Sequence, residues 1–518
     1  MGAQDKRFGK AGNMTGLEML RERVQHNIDE TKSLEERRMH GQFATPMLLA
    51  REILSYGLAL LHEDAISFLE PAFGTGALYS ALIQQIGDTG KEIKRATGIE
   101  IDPAYYGSAR SIWHDDLVQV RNADFTHSKP DGKYNLLITN PPYVRHQYMA
   151  QEEKIILGER IKKETGISIS GLAGLHCYFM LLSHKWLTAG AICGWLIPSE
   201  FMDVNYGSAL KKYLLDKVHL LRIHRYDIDE PKFDDALVSS CVVWFKNERV
   251  AGDYDVEFSY GGTHDTPLQS RLVKKSILQV EGKWTRFPEK DIREIKKEKV
   301  TIGDYFIVKR GLATGDNSFF ILDQKKIQDL GLDMTFFKPI LPSPRNLKTD
   351  CIETDSAGNP KLERQYYLLD CGLTEAEMCE SYPALWRYVQ GGIAETSNKY
   401  LCRNRKTWYW QEQRQATRFL CSYMGRSSTG NAPVRFILNI SNAIATNSYL
   451  MLYPKEPLQQ VISKNPDIVF RVWEELKKIN ADEIESECRT YGGGLKKLEP
   501  RELAKVACDD LRTICNVW

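Results

Sequence analysis

The tetrapeptide Asn140-Pro141-Pro142-Tyr143 follows an apolar segment, residues 134–139, that predicts a strand. Two successive prolines fix the backbone, because each ring locks φ and excludes the preceding residue from the helical region. This geometry can direct the Asn140 amide and the Pro141 carbonyl at one point, and two acceptors there suit an amino group with two N–H donors. Tyr143 adds a flat face on which a planar base can stack. Taken alone, the tetrapeptide could also be a plain strand followed by a proline-rich turn.

A glycine-rich turn lies upstream, in the segment Glu70-Pro71-Ala72-Phe73-Gly74-Thr75-Gly76. The apolar run before it predicts a strand, and the spacing after it predicts a helix from Ala77 to Ile86. Glycines at such a turn let the backbone approach a ligand closely. Tyr79 stands where a dinucleotide fingerprint needs its third glycine, and no Gly-Lys-Ser/Thr follows, so neither a dinucleotide site nor a phosphate loop is expected. The acidic Glu70 would attract an ammonium group.

Two more predicted strands end in carboxylates. One ends at Glu100-Ile101-Asp102, and the other, from Leu117 to Ala123, ends at Asp124-Phe125. A carboxylate at such a strand end binds ribose hydroxyls in α/β nucleotide-binding folds. The alternative is that Glu100 and Asp124 only bind the backbone amides of the turns that follow them.

In this order the motifs resemble those of the gamma-class (Taq and Eco57I type) S-adenosylmethionine-dependent N6-adenine DNA methyltransferases of restriction-modification systems. The resemblance covers roughly residues 39–320 well and the remainder weakly. The matching segments are Gly41-Gln42-Phe43-Ala44-Thr45-Pro46, Glu70 to Gly76, Glu100, Asp124-Phe125, Asn140 to Tyr143, Lys232-Phe233-Asp234-Asp235-Ala236 and Lys309 to Asn317.

The resemblance implies a role for each of these segments. The implied catalytic residues are Asn140, Pro141, Pro142 and Tyr143, with Phe233 as the edge or opposite-face contact of a flipped-out adenine. The implied S-adenosyl-L-methionine-binding residues are Thr45, Pro46, Glu70, Ala72, Gly74, Gly76, Glu100, Ile101, Asp124, Phe125 and Asn140. In this scheme Glu70 and Thr45 hold the methionine end, Glu100 the ribose, and Asp124 the adenine amino group. Thr45 could instead be a simple N-cap for the helix that starts after Pro46.

Composition adds limits on the class of protein. The chain has 518 residues, which predicts two domains, and its 69 Lys and Arg against 68 Asp and Glu give a net charge of only +1. A duplex-binding protein of this charge must gather its cations on one face. The cysteines form no C-x-x-C pair and the histidines no metal-binding set, so we expect a reduced compartment and no metal site. The lack of a long apolar stretch and of a signal-peptide pattern predicts a cytoplasmic protein with no membrane association.

The alternation of predicted strands and helices up to about residue 246 predicts a doubly wound parallel α/β sheet. The resemblance implies the seven-stranded, Rossmann-like methyltransferase sheet, and the late strands predict an antiparallel edge pair. We therefore assign residues 1–297 to the catalytic domain, with an amphipathic helix over residues 15–38 and a bridge over residues 247–297. Residues 298–518 form a second, mixed α+β domain, for which the resemblance implies DNA target recognition.

Three regions of this second domain are candidates for DNA contact. The candidate residues are Gly311, Thr314, Asn317, Arg403, Arg405 and Trp408. The cluster from Arg403 to Trp410 mixes cations, amides and aromatics, as phosphate and base-edge contacts require. It could equally be a strand whose Trp408 and Trp410 share a core-facing side. Residues 311–317 could be a turn, and residues 491–500 either a loop onto phosphate or a linker.

The sequence thus predicts a site-specific adenine DNA methyltransferase that uses S-adenosyl-L-methionine and acts on double-stranded DNA. A cognate restriction endonuclease encoded separately is a candidate partner. Three alternatives stay open: an RNA adenine methyltransferase, a protein glutamine methyltransferase, and a DNA-binding subunit of a restriction or defence complex without catalytic activity. The long Arg- and aromatic-containing second domain argues against a protein substrate, and intact Asn140, Glu100 and Asp124 argue against a subunit without activity.

Overall fold

The computed structural model of the protein describes residues 4–113, 118–227, 240–289, 300–426, 432–491, 495–512 and 514. The chain divides into two compact units, residues 1–294 and residues 295–518. Within the described residues, no helix combines the length and the apolar character needed to cross a membrane.

The first unit is organised around one sheet of nine described strands. They are β1 (Ala65–Glu70), β2 (Glu92–Glu100), β3 (Val118–Asn122), β4 (Tyr134–Thr139), β5 (Leu187–Pro198), β6 (His219–Arg225), β7 (Ser240–Lys246), β8 (Asp255–Gly262) and β9 (Pro267–Lys274). Their order in the sheet is β3-β2-β1-β4-β5-β7-β6-β8-β9. The pairs among β1 to β5 are parallel, and the chain returns from β3 to place β4 beside β1. This reversal of strand order confirms the predicted doubly wound α/β sheet.

Two details of the predicted sheet are wrong. The predicted bridge over residues 247–297 contains β8 and β9, which extend the sheet from seven strands to nine. Its many charged residues concealed an alternation in which Val256, Phe258 and Val273 are buried. In addition, β6 and β7 are antiparallel as expected but are not an edge pair, because β7 lies between β5 and β6 and the sheet continues from β6 to β8.

The helices of this unit are α1 (Gln4–Glu30), α2 (Leu34–His40), α3 (Met47–Leu60), α4 (Ala77–Gln85), α5 (Pro103–Ile112), α6 (Gln151–Thr165), α7 (Leu175–Ser183), α8 (Ser208–Asp216) and α9 (Lys275–Val280). The single helix predicted over residues 15–38 is two helices. The break occurs because Ser33 and Glu36 form reciprocal hydrogen bonds that start α2. Helices α3, α4 and α5 share one hydrophobic core with β1, β2 and β4.

The second unit is mixed α+β, as predicted. Its strands are β10 (Phe306–Arg310), β11 (Ile321–Asp323), β12 (Phe337–Ile340), β13 (Cys351–Ile352), β14 (Tyr366–Leu369), β15 (Phe419–Ser422), β16 (Met424–Arg426), β17 (Phe436–Asn439), β18 (Tyr449–Pro454), β19 (Arg489–Tyr491) and β20 (Leu495–Lys497). They form the sheets β10-β18-β15-β17-β13, β11-β14-β12 and β16-β20-β19.

The helices of the second unit are short. They are α10 (Ile302–Tyr305), α11 (Asn317–Phe320), α12 (Gln324–Asp329), α13 (Glu375–Ser381), α14 (Pro383–Gly391), α15 (Tyr400–Arg403), α16 (Glu456–Lys464), α17 (Ile468–Lys477), α18 (Ala481–Glu487) and α19 (Pro500–Leu503). Residues 404–410 are turns and irregular backbone, so the strand considered for Trp408 and Trp410 is wrong. Trp408 is half-buried, whereas Trp410 is 45% exposed, and the two do not share a buried strand face.

Candidate active site

A cavity of about 840 Å³ lies in the first unit where four neighbouring parallel strands end. Its wall includes residues 71–72 after β1, 100–102 at the end of β2, 123–127 after β3, and Asn140 and Pro142 after β4. Ligands bind at the carboxyl ends of strands in doubly wound sheets, at the point where the strand order reverses. The cavity lies at this point.

The cavity brings together most of the residues predicted to bind the cofactor. Those in its wall are Ala72, Gly74, Glu100, Ile101, Asp124, Phe125 and Asn140. The other predicted cofactor residues, Thr45, Pro46, Glu70 and Gly76, are described by the structure but are outside the wall. Pro46 is the N-cap residue of α3, and no side chain caps this helix, so the alternative of Thr45 as a helix cap is wrong.

The turn between β1 and α4 has a backbone that requires glycine. Gly74 and Gly76 have φ angles of 55° and 86°. A Cβ atom at Gly76 would lie 2.5 Å from the Trp113 Nε1 and 2.8 Å from the ring of Phe73. The turn is therefore tightly packed at Gly76, whereas Gly74 lines the cavity.

Glu100 binds the turn directly. Its Oε2 accepts a hydrogen bond from the Gly74 N–H at 2.7 Å, and its Oε1 accepts one from the Asp102 N–H at 2.8 Å. Burial raises the pKa of Glu100 above its ordinary value, against the lowering effect of these two bonds. The contacts with turn amides are those of the alternative interpretation, but Glu100 also lines the cavity. Each carboxylate oxygen has a second lone pair, so acceptor capacity is left for a ligand hydroxyl.

Glu70, at the end of β1, is a buried acceptor with an unused oxygen. Among the described residues its Oε2 has no hydrogen-bond partner. Burial raises the pKa of Glu70 well above its ordinary value, and the nearby Glu100 adds to the rise, whereas a backbone bond from Tyr79 and the cation of Arg21 oppose it. Unsatisfied buried polar atoms are rare and call for a functional or structural partner. An ammonium group would satisfy this oxygen and its charge together.

Asp124 and Phe125 are held at the end of β3. Asp124 Oδ1 accepts hydrogen bonds from the Thr126 N–H and hydroxyl at 2.7 and 2.6 Å, and its Oδ2 lies 3.1 Å from His127 Nδ1. The Phe125 ring packs against Phe179, with ring centroids 5.1 Å apart. These contacts fix a carboxylate and an aromatic edge on one side of the cavity.

Asn140 has a fixed orientation. Its Nδ2 donates to the Phe43 carbonyl at 3.0 Å and to the Thr45 hydroxyl at 3.2 Å. A backbone carbonyl can only accept, so rotating the amide by half a turn would place two acceptors against each other. Both N–H groups are therefore used, and the Oδ1 is the atom presented as an acceptor. Phe43 and Thr45 thus orient Asn140 together.

Tyr143 is tied to the sheet through its hydroxyl group. The hydroxyl donates to the Leu196 carbonyl at 3.0 Å, and burial raises the pKa of the phenol above its ordinary value. The ring meets His176 edge-on at 6.4 Å and is half-buried, and it is not part of the cavity wall. Phe233 lies outside the described residues, so its predicted contact with a base stays a prediction.

Several cavity residues were not predicted from the sequence. They include Gln25 of α1, Tyr105 of α5, His127, and Leu175 and Phe179 of α7. Leu175 and Phe179 have the spacing of one helix face, which in a sequence indicates core packing. Gln25 precedes the earliest recognised motif, and no local pattern marks it. Only the fold brings these residues to the cavity.

In the second unit the six candidate DNA-contact residues fall into two groups. Four of them make contacts within the protein: Gly311, Thr314, Arg405 and Trp408. A Cβ atom at Gly311 would lie 2.1 Å from the Thr446 carbonyl oxygen, so the backbone is closely packed there. Arg405 Nη2 donates a hydrogen bond to the Ala313 carbonyl at 2.8 Å. Thr314 is buried and donates to Asn317 Oδ1 at 2.6 Å, while Trp408 packs on two phenylalanine rings. Asn317 and Arg403 are exposed.

One cluster outside the cavity has the composition of a metal site. Potential ligand atoms of Glu52, His224 and His264 lie within 4.8 Å of one another. However, His264 Nε2 accepts a hydrogen bond from the Trp244 Nε1 at 2.9 Å, and its Nδ1 lies 2.7 Å from Glu52 Oε1. Both ring nitrogens of His264 are thus engaged within the protein, and we assign the cluster to a buried polar network between α3 and the sheet.

Comparison with known proteins identifies the family. A model of the Eco57I restriction-modification methylase matches residues 84–233, and a model of the C-terminal domain of Type II methyltransferase M.Eco57I matches residues 287–516. The first match lies within the first unit, and the second begins eight residues before the boundary and covers most of the second unit. The chain belongs to the Eco57I-type restriction-modification methylases, which confirms the resemblance at the level of the family.

Relatives match along most of the chain. Type II methyltransferase M.AccI of Acinetobacter calcoaceticus is 27% identical over 506 residues, which cover 94% of this chain and 88% of that protein. Type II methyltransferase M.XamI of Xanthomonas campestris pv. amaranthicola is 26% identical over 483 residues, which cover 92% and 86%. Among solved structures, the Type IIL restriction-modification enzyme MmeI in complex with DNA is similar over 89% of this chain and 63% of that one, with 13% identity and a TM-score of 0.49.

Proposed function

We propose that this protein is a site-specific DNA methyltransferase that uses S-adenosyl-L-methionine to methylate the N6 amino group of a flipped-out adenine. Support comes from the family, from the full-length relatives named Type II methyltransferases, and from the cavity at the strand ends. A cytoplasmic location and a separately encoded cognate restriction endonuclease stay predictions.

The single observation that carries the proposal is the orientation of Asn140. Its two N–H groups are bound to Phe43 and Thr45, and its Oδ1 is presented as an acceptor. The adenine amino nitrogen is a poor nucleophile because its lone pair is delocalised into the ring. Hydrogen bonds from its N–H groups to Asn140 Oδ1 and to the Pro141 carbonyl would draw the nitrogen towards tetrahedral geometry and localise that pair. An acceptor fixed before the substrate arrives is electrostatically preorganised.

Residues of the cavity wall suit the proposed cofactor, together with Glu70, which is buried at the end of β1 outside the wall. The unused buried Oε2 of Glu70 matches the ammonium group of the methionine end, Glu100 the ribose hydroxyls, and Asp124 the adenine amino group. Phe125 and Phe179 offer apolar contact for the adenine ring. When bound, S-adenosyl-L-methionine supplies a methyl group already activated by its sulfonium, so positioning and electrostatics are what the protein must add.

A base inside a duplex cannot reach Asn140, so the target nucleotide must leave the stack. Flipping costs a few kcal/mol, which stacking on an aromatic side chain partly offsets. Tyr143 is the proposed stacking residue, and its hydroxyl bond to Leu196 fixes the ring plane before a base arrives. Phe233 is proposed for the second contact on the resemblance alone.

The second unit is proposed to recognise the DNA sequence. Among the candidates, the exposed Arg403 and Asn317 are the residues whose side chains are available for contact. Asn317 Oδ1 accepts a hydrogen bond from the Thr314 hydroxyl, which leaves the amino group of Asn317 as the outward donor. Arg405, by contrast, is proposed to support this surface from within through the Ala313 carbonyl.

The test is methyl transfer by the full-length protein and its Asn140→Ala variant. We expect Asn140→Ala to abolish transfer to DNA while cofactor binding survives, because Asn140 acts on the target amino group. The exposed Asn205, replaced by Ala, is the matched control and should leave the rate unchanged. If the variant kept more than about a tenth of the parent rate, Asn140 would lower the activation free energy by less than about 1.4 kcal/mol. The acceptor role would then be wrong.

Direct sequencing of DNA from cells that express the chain tests the substrate. N6-methyladenine at one sequence context is the expected result. N4-methylcytosine would keep the mechanism and change the base. Unmodified DNA, together with methylated RNA or methylated protein glutamine in the same cells, would replace the proposal by one of the other two enzymes considered.

A further inference from the structure

The long helix α1 reaches the cavity through one side chain. Gln25 is part of the cavity wall and also contacts the glycine-rich turn, because the Thr75 hydroxyl donates to Gln25 Oε1 at 2.7 Å. The buried Arg21, one turn earlier on α1, donates from Nη1 to the same hydroxyl at 3.1 Å. Helix α1 is therefore joined to the turn that follows β1.

The hydrogen bonds around Gln25 have a fixed direction. A guanidinium group can only donate, so the Thr75 hydroxyl accepts a hydrogen bond from Arg21 and donates its own O–H to Gln25 Oε1. On the other side, Gln25 Nε2 donates to Asp29 Oδ1 at 3.0 Å, and Asp29 also accepts from the Tyr105 hydroxyl at 2.6 Å. If the Gln25 carboxamide rotated by half a turn, its Oε1 would face Asp29 Oδ1, which is also an acceptor, so the orientation of the amide is fixed.

This arrangement leaves one donor of Gln25 unused. A carboxamide nitrogen has two N–H groups, and only the one directed at Asp29 has a partner among the described residues. Gln25 itself lines the cavity and contacts Thr75, in the turn that follows Glu70 along the chain. Glu70 can accept from an ammonium group but cannot bind a carboxylate, so a zwitterionic amino-acid end at this point also needs a donor.

We propose that the second Nε2 N–H of Gln25 donates to the α-carboxylate of the methionine end of the cofactor, which makes Gln25 of α1 a cofactor-binding residue. This inference rests on the proposed use of S-adenosyl-L-methionine. A hydrogen bond to a charged acceptor is about twice as strong as one between neutral groups. Helix α1 then contributes to ligand affinity directly, in addition to its contacts with the turn after β1.

The test compares three ligands on the full-length protein by titration calorimetry. S-adenosylmethionine and S-adenosylhomocysteine carry the amino-acid end, and 5′-methylthioadenosine lacks it but keeps the ribose and the adenine. The variants are Gln25→Ala, Gln25→Glu and the matched control Asn27→Ala, an exposed amide on the same helix. Gln25→Glu keeps an acceptor for Thr75 and the side-chain size while it removes both N–H donors, so it serves if Gln25→Ala does not fold.

We expect both Gln25 variants to bind S-adenosylhomocysteine about tenfold to a hundredfold more weakly, and to bind 5′-methylthioadenosine as the parent does. Asn27→Ala should match the parent for all three ligands. Equal weakening for all ligands would make Gln25 a positioning residue for the turn and overturn the carboxylate contact. Unchanged affinity for all of them would overturn it as well. If the parent itself bound none of the ligands, the proposed cofactor would fail, and this inference with it.

Discussion

Replacing Thr45 separates two roles that the site allows for it. The resemblance places Thr45 at the methionine end of the cofactor, whereas its hydroxyl in the structure accepts a hydrogen bond from Asn140 at 3.2 Å. Thr45→Val removes the hydroxyl and keeps the shape of the side chain, and Thr45→Ser keeps the hydroxyl. If Thr45 acts by orienting Asn140, Thr45→Val should lower kcat for methyl transfer and leave cofactor affinity unchanged.

The size of the effect follows from the contacts. A bond between neutral groups contributes about 0.5–1.5 kcal/mol, which is about a twofold to tenfold change in rate if the whole contribution acts on the transition state. The effect should stay below that of Asn140→Ala, because the bond from Asn140 to the Phe43 carbonyl at 3.0 Å survives. The free energy of unfolding should also fall, by about 0.5–1.5 kcal/mol, because a partly buried N–H of Asn140 loses its protein partner.

Steady-state kinetics with a duplex substrate, together with calorimetric binding of S-adenosylhomocysteine, measure both quantities. Thr45→Ser should behave like the parent in each assay. A Thr45→Val protein with parental kcat and weakened cofactor binding would refute the orienting role. That result would instead support a contact of Thr45 with the methionine end of the cofactor, as the resemblance implies.

Two further perturbations test the buried carboxylate and the second unit. Burial raises the pKa of Glu70 in the folded protein. Between the ordinary glutamate pKa and this higher value, the folded protein therefore binds a proton that the unfolded chain does not. The free energy of unfolding consequently falls as pH rises through that window. Glu70→Gln should therefore stabilise the ligand-free protein at neutral pH and flatten this pH dependence, as thermal unfolding across pH would show. It should also weaken S-adenosylmethionine binding measured by calorimetry. A loss of stability at neutral pH would contradict this prediction. Arg405→Ala should lower the stability of the second unit, because Ala313 loses its donor, whereas Arg403→Ala should weaken DNA binding without that loss. Binding of cognate and unrelated duplexes across a salt series then assigns Arg403 to a base edge or to a phosphate, and unchanged affinity for every duplex would exclude it from the interface.

Several elements of the first unit could be predicted because their signals are local. The strand Tyr134–Thr139 was predicted with the bounds that the structure shows, since an apolar run that stops at two prolines leaves little freedom. The turn at Gly74 and Gly76 was equally clear, because its backbone needs positive φ. Strands β8 and β9 were missed because their outer face is polar, and in a single sequence such a segment resembles a charged linker.

Contacts between distant segments could not be predicted, because they depend on which side chains the fold brings together. Arg405 and Trp408 belong to a cluster with the composition of a DNA-binding surface, yet Arg405 donates to the Ala313 carbonyl and Trp408 packs on Phe319 and Phe320. Cations and aromatics serve a core contact and a nucleic-acid contact equally well, so residue type alone does not separate them. Exposure does separate them, and it leaves Arg403 as the residue of that cluster to test first.

The same dependence on distant contacts explains how one acceptor atom is selected at Asn140. The prolines after Asn140 direct the backbone, but they do not decide which end of the amide faces the cavity. That choice is made by Phe43 and Thr45, which lie far earlier in the chain and offer two acceptors to the Asn140 nitrogen. Segment 43–46 and the tetrapeptide thus act together in the proposed mechanism, because the first fixes the amide orientation that the proposed acceptor role of Asn140 requires. We therefore expect changes in either part to lower methyl transfer while β4, α3 and the cavity remain intact.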